Sequence, residues 1–119
     1  MSDLSALIER MEGATGPDDA LNREVCIATG ISPRIEAPFD AAGRGVEIYP
    51  PVMWSVDAAL AFVKRVLPGV HWQIAFDPEQ RFWVGVGQPG EREDGYSHYA
   101  PLAILISALK ALQERGTER

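Results

Sequence analysis

Of the 119 residues only one is cysteine, Cys26, and only two are histidines, His71 and His98. A lone cysteine excludes an intramolecular disulfide framework and any multi-cysteine zinc or iron–sulfur site, and it suits a reducing cytoplasm. Basic residues are also scarce: 11 Lys and Arg stand against 17 Asp and Glu, for a net charge of −6. The field of such a chain opposes a phosphate backbone, so no nucleic-acid polymer is expected as a partner. A small phosphate-bearing ligand is not excluded, because two or three arginines in one pocket hold it whatever the global charge. Long apolar runs are missing too. The longest, such as 101–106, fall far short of the roughly 20 residues that a membrane-spanning helix needs. The first residues interrupt their apolar positions with Asp3, Glu9 and Arg10, so neither an export signal nor a membrane association is expected.

What is present is a globular composition, with 46% hydrophobic and 24% charged residues, which predicts one soluble domain over 1–119. Ser2 can cap a helix whose apolar stripe is Leu4, Leu7, Ile8 and Met11, ending near Gly13. Pro17, in the first turn, opens a second helix with Leu21, Val25 and Ala28 on one face and Gly30 as its stop. Between 31 and 51 four prolines and two glycines forbid long regular elements. Two short extended pieces, 34–39 and 46–49, pair across the Asp40-Ala41-Ala42-Gly43 turn at a sheet edge. Ser55 caps a third helix with Ala59, Leu60, Val63, Val66 and Leu67 inward.

Strict alternation over 71–76 and 82–87, around Asp77-Pro78-Glu79-Gln80, is the clearest hairpin signal in the chain. The segment 88–98 holds Pro89, Gly90, Gly95 and the charged run Glu91-Arg92-Glu93-Asp94, which predicts an exposed loop. From Pro101 a fourth helix follows with Leu102, Leu105, Ile106, Leu109 and Leu112 on one face. Ala103, Ile104 and Ala108 widen that stripe, so the helix is buried on more than one side. The expected fold is α+β: a small antiparallel sheet made of the hairpin at about 71–87, extended by 34–49, packed against about four helices.

No catalytic set stands out. Acyl transfer of the Ser/His/Asp kind has only His71 and His98 to serve as base, and neither lies in a motif. Metal signatures such as HExxH or CxxC are missing, and Asp94 and His98 merely share the late loop. The G-x-G-x-x-G of Gly85, Gly87 and Gly90 has no helix beginning within it to receive a pyrophosphate, so its glycines read as strand glycines beside a bulky neighbour. No catalytic residue, metal ligand or cofactor is therefore assigned. Small-ligand recognition would instead combine aromatic faces with guanidinium groups. The candidates are Arg44, Tyr49, Arg81, Trp83, Arg92, Tyr96, His98 and Tyr99. If Phe82, Val84 and Val86 face the helices, Trp83 points the other way, and either a second copy of the chain or the 31–51 segment must cover it.

Several packing motifs carry a resemblance: residues 4–10 (LSALIER) followed by 14–18 (ATGPD), residues 54–60 (WSVDAAL), His71-Trp72, and 100–104 (APLAI) running into Ala108-Leu109. In these the chain resembles the phage ABA sandwich domain family, small proteins of bacteriophages and prophages; the segments 35–51 and 88–98 have no match in that pattern. The resemblance implies no enzymatic activity and carries over no catalytic residue. The expected function is that of a non-enzymatic phage or prophage accessory protein in the host cytoplasm, a homo-oligomer that sequesters a nucleotide signal of antiviral immunity. Two rivals are an inhibitor that occludes a host defence protein through protein–protein contact, and an enzyme with an unrecognised site built on His71 or His98.

Overall fold

A computed structural model describes residues 4–76, 81–88 and 91–117. Helix α1 (Ser5–Glu12) starts directly after Leu4 and buries Leu7, Ile8 and Met11; the Ser2 cap lies outside the described residues. Helix α2 (Asp19–Ala28) is capped by Asp18, whose carboxylate accepts from the Leu21 N–H at 2.8 Å. Pro17 thus precedes the cap instead of sitting in the first turn, because the aspartate side chain satisfies a free helix N–H that proline cannot. Strands β1 (Arg34–Glu36) and β2 (Val46–Ile48) form a two-stranded antiparallel ribbon with Ile35 opposite Glu47. Helix α3 (Val56–Val66) follows, with Ser55 accepting from the Ala58 N–H at 3.0 Å and Lys64 and Arg65 in the last turn, where the helix dipole favours cations.

Strands β3 (His71–Phe76), β4 (Phe82–Gln88) and β5 (Glu91–Ser97) make a second antiparallel sheet in the order β3-β4-β5, and helix α4 (Ala100–Thr117) closes the chain. The α+β fold expected from the sequence is present, with two corrections. The ribbon does not extend the hairpin sheet but stands as a separate sheet. The stretch 91–97, expected as a loop, is strand β5, paired along its length with β4 from Phe82↔Ser97 to Gln88↔Glu91. Its helix-facing positions are Glu93, Gly95 and Ser97, so the apolar alternation that marks most half-buried strands is missing from its sequence. The Asp77–Gln80 turn and the Pro89-Gly90 connection lie outside the described residues.

Helix α4 is the centre of the molecule. Every residue from Leu102 to Leu109 is buried, since the helix packs on β4 and β5 with one side and on α1 and α3 with the other. The approach to β5 is so close that a Cβ on Gly95 would lie 2.3 Å from the Ala103 carbonyl oxygen and 2.8 Å from the Ser107 nitrogen. Ser107, buried in that contact, satisfies its hydroxyl by donating to the Ile104 carbonyl at 2.8 Å. Lys110 ties three elements, donating to the Asp94 carbonyl at 3.0 Å and pairing with Glu12 at 3.4 Å. On the far side buried Asn22 donates to the Pro50 carbonyl and accepts from the Met53 N–H, which seats Val52 and Met53 in the core. Among the described residues no helix is long and apolar enough to cross a membrane.

The ribbon lies off this helical body, with every β1 side chain exposed and its ties made at the surface, by Arg23 to Glu47 at 3.4 Å and Arg23 over the Tyr49 ring. The molecule is accordingly elongated, 53 × 35 × 24 Å, with a radius of gyration of 15.1 Å. A compact chain of this length would have about 13.5 Å.

Candidate functional site

The outer face of the three-stranded sheet, opposite α4, follows from register. His71, Gln73 and Ala75 of β3 lie level with Gly87, Gly85 and Trp83 of β4, and these with Arg92, Asp94 and Tyr96 of β5. Trp83 thus points away from the helices, as the alternation requires. The ribbon of the 31–51 segment is a separate sheet. The Arg92 guanidinium lies over the indole, 4.8 Å from the ring centroid, and Trp83 is half-buried. The Arg81 guanidinium lies 5.0 Å from the centroid of Tyr96, the residue opposite Trp83. Each pair is a cation–π contact with ring and guanidinium stacked on the sheet surface.

Gly85 makes this arrangement fit. A Cβ there would meet Arg92 Cδ at 2.3 Å and Trp83 Cζ2 at 2.9 Å, so the arginine stem and the indole rest on bare backbone. Arg92 also donates to Asp94 at 3.1 Å, which helps to hold the guanidinium over the ring. Four of the eight candidate residues, Arg81, Trp83, Arg92 and Tyr96, are therefore brought together.

The other four are elsewhere. Arg44 sits at the ribbon tip, bonded through Nε to Asp40 at 2.9 Å, and Tyr49 packs under Arg23 with the ring centroid 5.9 Å from the guanidinium. Asp40 accepts the Arg44 and Ala42 backbone N–H groups, both at 2.9 Å; the Arg44 N–H foremost, with Ala42 and the Arg44 side chain, holds its carboxyl below the ordinary aspartate value. Tyr99 leads into α4, its N–H donating to Ser97 Oγ at 3.1 Å and its ring against the core, while His98 is exposed beside it. His71 and His98 stand at opposite ends of the sheet. His71 is level with Arg92, and His98 is six residues further along that strand, a separation of about 20 Å. They do not form one site. Among the described residues no three His, Cys, Asp or Glu gather in a way that could hold a metal ion.

Two features escaped the sequence reading. Beside α3 lies a cavity of about 220 Å³, lined by Ile31, Pro50, Val52, Ala58, Phe62 and Arg65 among others and almost wholly apolar. Nearby, burial pushes the Cys26 thiol up, with Arg65 opposing the shift. The second is β3 itself. Trp72, Ile74 and Phe76 face the helix side, level with buried Val86 and Val84 and with Phe82, yet are 40%, 36% and 61% exposed. Alternation marks which side chains share a face but not how far a neighbouring helix reaches; α4 covers β4 and β5 and leaves β3 open. No family model, curated protein or solved structure matches the chain.

Proposed function

We propose that this protein acts by binding rather than by catalysis: it is a homo-oligomeric accessory protein, of the phage kind its packing motifs resemble, that sequesters a small nucleotide on the outer face of its three-stranded sheet. The observation that carries this reading is the pair of stacked guanidinium–aromatic contacts, Arg92 on Trp83 and Arg81 on Tyr96, side by side on one surface. Such a surface holds both things a nucleotide needs, cationic donors for a phosphate and, once a guanidinium swings off its ring to that phosphate, a π-face for a base. A net charge of −6 selects against long polyanions, while the local arginines still attract a short one. Arg92 is held by Asp94 in the free protein, so a phosphate binds there by exchanging with that carboxylate.

Incubation with cyclic di-GMP, removal of free ligand and heat release of the bound fraction test this. Intact nucleotide is expected to be depleted from solution and recovered on heating; degraded nucleotide would make the protein an enzyme, and no depletion of cyclic di-GMP or of GMP would end the nucleotide reading. Gly85→Ala, which forces Arg92 and Trp83 apart, is expected to lower the affinity at least tenfold while the protein keeps its circular-dichroism spectrum.

A further inference from the structure

We infer that two copies of this chain pair along β3, in an antiparallel register centred on Ile74, and that the nucleotide-binding face proposed above is completed by the second copy. The inference rests on that reading for its ligand but not for its interface.

The two edges of the sheet differ in the devices that keep sheets from joining. Edge strand β5 carries Glu91, Arg92, Glu93 and Asp94 in succession. Edge strand β3 reads HWQIAF, with no Lys, Arg, Asp, Glu or Pro. An uncharged edge of six residues with apolar side chains is a template for another strand. Its three large residues expose roughly 300 Å² of apolar surface, about half of the ~600 Å² per partner at the lower end of specific interfaces. The main-chain edge and the exposed His71, Gln73 and Ala75 supply the remainder.

Charge and register identify the occupant as a second copy. Two molecules of net charge −6 repel, and β3 is a strip on which they meet without opposing carboxylates. A basic partner drawn by the acidic surface would find no counter-charge along it. The strip is also self-complementary. Centred on Ile74, an antiparallel pairing sets Ile74 against itself, Trp72 against Phe76 and Gln73 against Ala75, so that all three large residues of both copies share one face. This is the isologous, two-fold arrangement that closes as a dimer.

The same register shapes the outer face. Three strand spacings separate one β4 from the other, about 14 Å, and the alignment of Trp83 with Ala75 adds a two-residue offset, so the two Trp83–Arg92 pairs stand roughly 16 Å apart. Between them the floor is Gln73 and Ala75 from each copy, uncharged and exposed. A ligand matched to this groove has its own two-fold axis and offers one base and one phosphate to each Trp83–Arg92 pair, which is the chemistry of a cyclic dinucleotide rather than a mononucleotide.

Sedimentation equilibrium of the intact protein at micromolar concentration tests the pairing, with a dimer of the 13.0 kDa chain expected. Ile74→Lys, at an exposed position that the fold does not require, is expected to give a monomer with unchanged circular dichroism. Ile74→Cys is expected to oxidise to a disulfide dimer, because opposed antiparallel Cα atoms lie about 4.5–5.5 Å apart, within disulfide range. Val46→Cys, similarly exposed on the ribbon, is the control and is expected not to cross-link. A monomeric wild type, or equal cross-linking of the two cysteine variants, would overturn the pairing. If monomeric Ile74→Lys depletes cyclic di-GMP as well as wild type, the composite groove falls while the proposed function stands. If a wild-type dimer is abolished by Ile74→Lys but never takes nucleotide, the pairing stands and the proposed function falls.

Discussion

The two sheets of this protein are built from the same antiparallel pairing and are stabilised in opposite ways. The three-stranded sheet rests on α4, with Val84 and Val86 fully buried and Gly95 pressed against the helix backbone. In the ribbon the strand residues of β1 are all exposed, and the order comes from polar contacts: the Asp40 network at the tip, Arg34 with Glu36, and Arg23 with Glu47. Each also has a glycine without room for a side chain. At Gly45 an added Cβ would fall 2.6 Å from Ile35 Cγ2 and 2.7 Å from the Glu36 oxygen. Equal crowding in the two places should have unequal consequences, because one neighbour is a helix locked in the core and the other is a strand with solvent beyond it.

Replacing each glycine separates the two cases. Gly95→Ala is expected to cost about 3 kcal/mol or more, since the helix must lift from the sheet along with Leu102, Ile106 and Leu109. A urea titration followed by circular dichroism measures it. Gly45→Ala is expected to leave that midpoint nearly unchanged and to show instead as faster amide exchange confined to 34–48, because the ribbon can open without the core. A global loss from Gly45→Ala equal to that from Gly95→Ala would break the distinction. The smallest effect concerns acid. Asp40 has its folded pKa below its unfolded value, so its contribution to the ribbon is fully present above the ordinary aspartate pKa and is lost as pH falls through the lower, folded value. Amide signals of Ala42 and Arg44 are expected to titrate with that depressed midpoint while signals from α4 stay fixed, and Asp40→Asn should remove the titration.

Legibility differed between these regions for definite reasons. The helices were readable because caps and periodicity are local: Asp18 and Ser55 bond to N–H groups three residues away, and the apolar repeat of α4 runs along one element. The ribbon turn was readable from Asp40 and Gly43, whose φ of +81° suits glycine. Strand β5 was not, because its residues are explained by what lies across from them, Gly95 by the Ala103 carbonyl and the Asp94 carbonyl by Lys110. The candidate binding residues divided along the same line. Arginines and aromatics could be named from composition, but only the β4–β5 register put Arg92 on Trp83 and Arg81 near Tyr96, and it left Arg44 and Tyr49 on the ribbon.

By itself the sequence determined an acidic α+β domain with a doubly buried last helix, and it determined that Trp83 points away from that helix, since alternation and amphipathic spacing are properties of one segment at a time. The tertiary structure decided what Trp83 meets there, that the ribbon stands apart, and that Trp72, Ile74 and Phe76 remain exposed on an apolar face. Those depend on how far α4 reaches across the sheet, a distance between segments that no pattern within either one encodes.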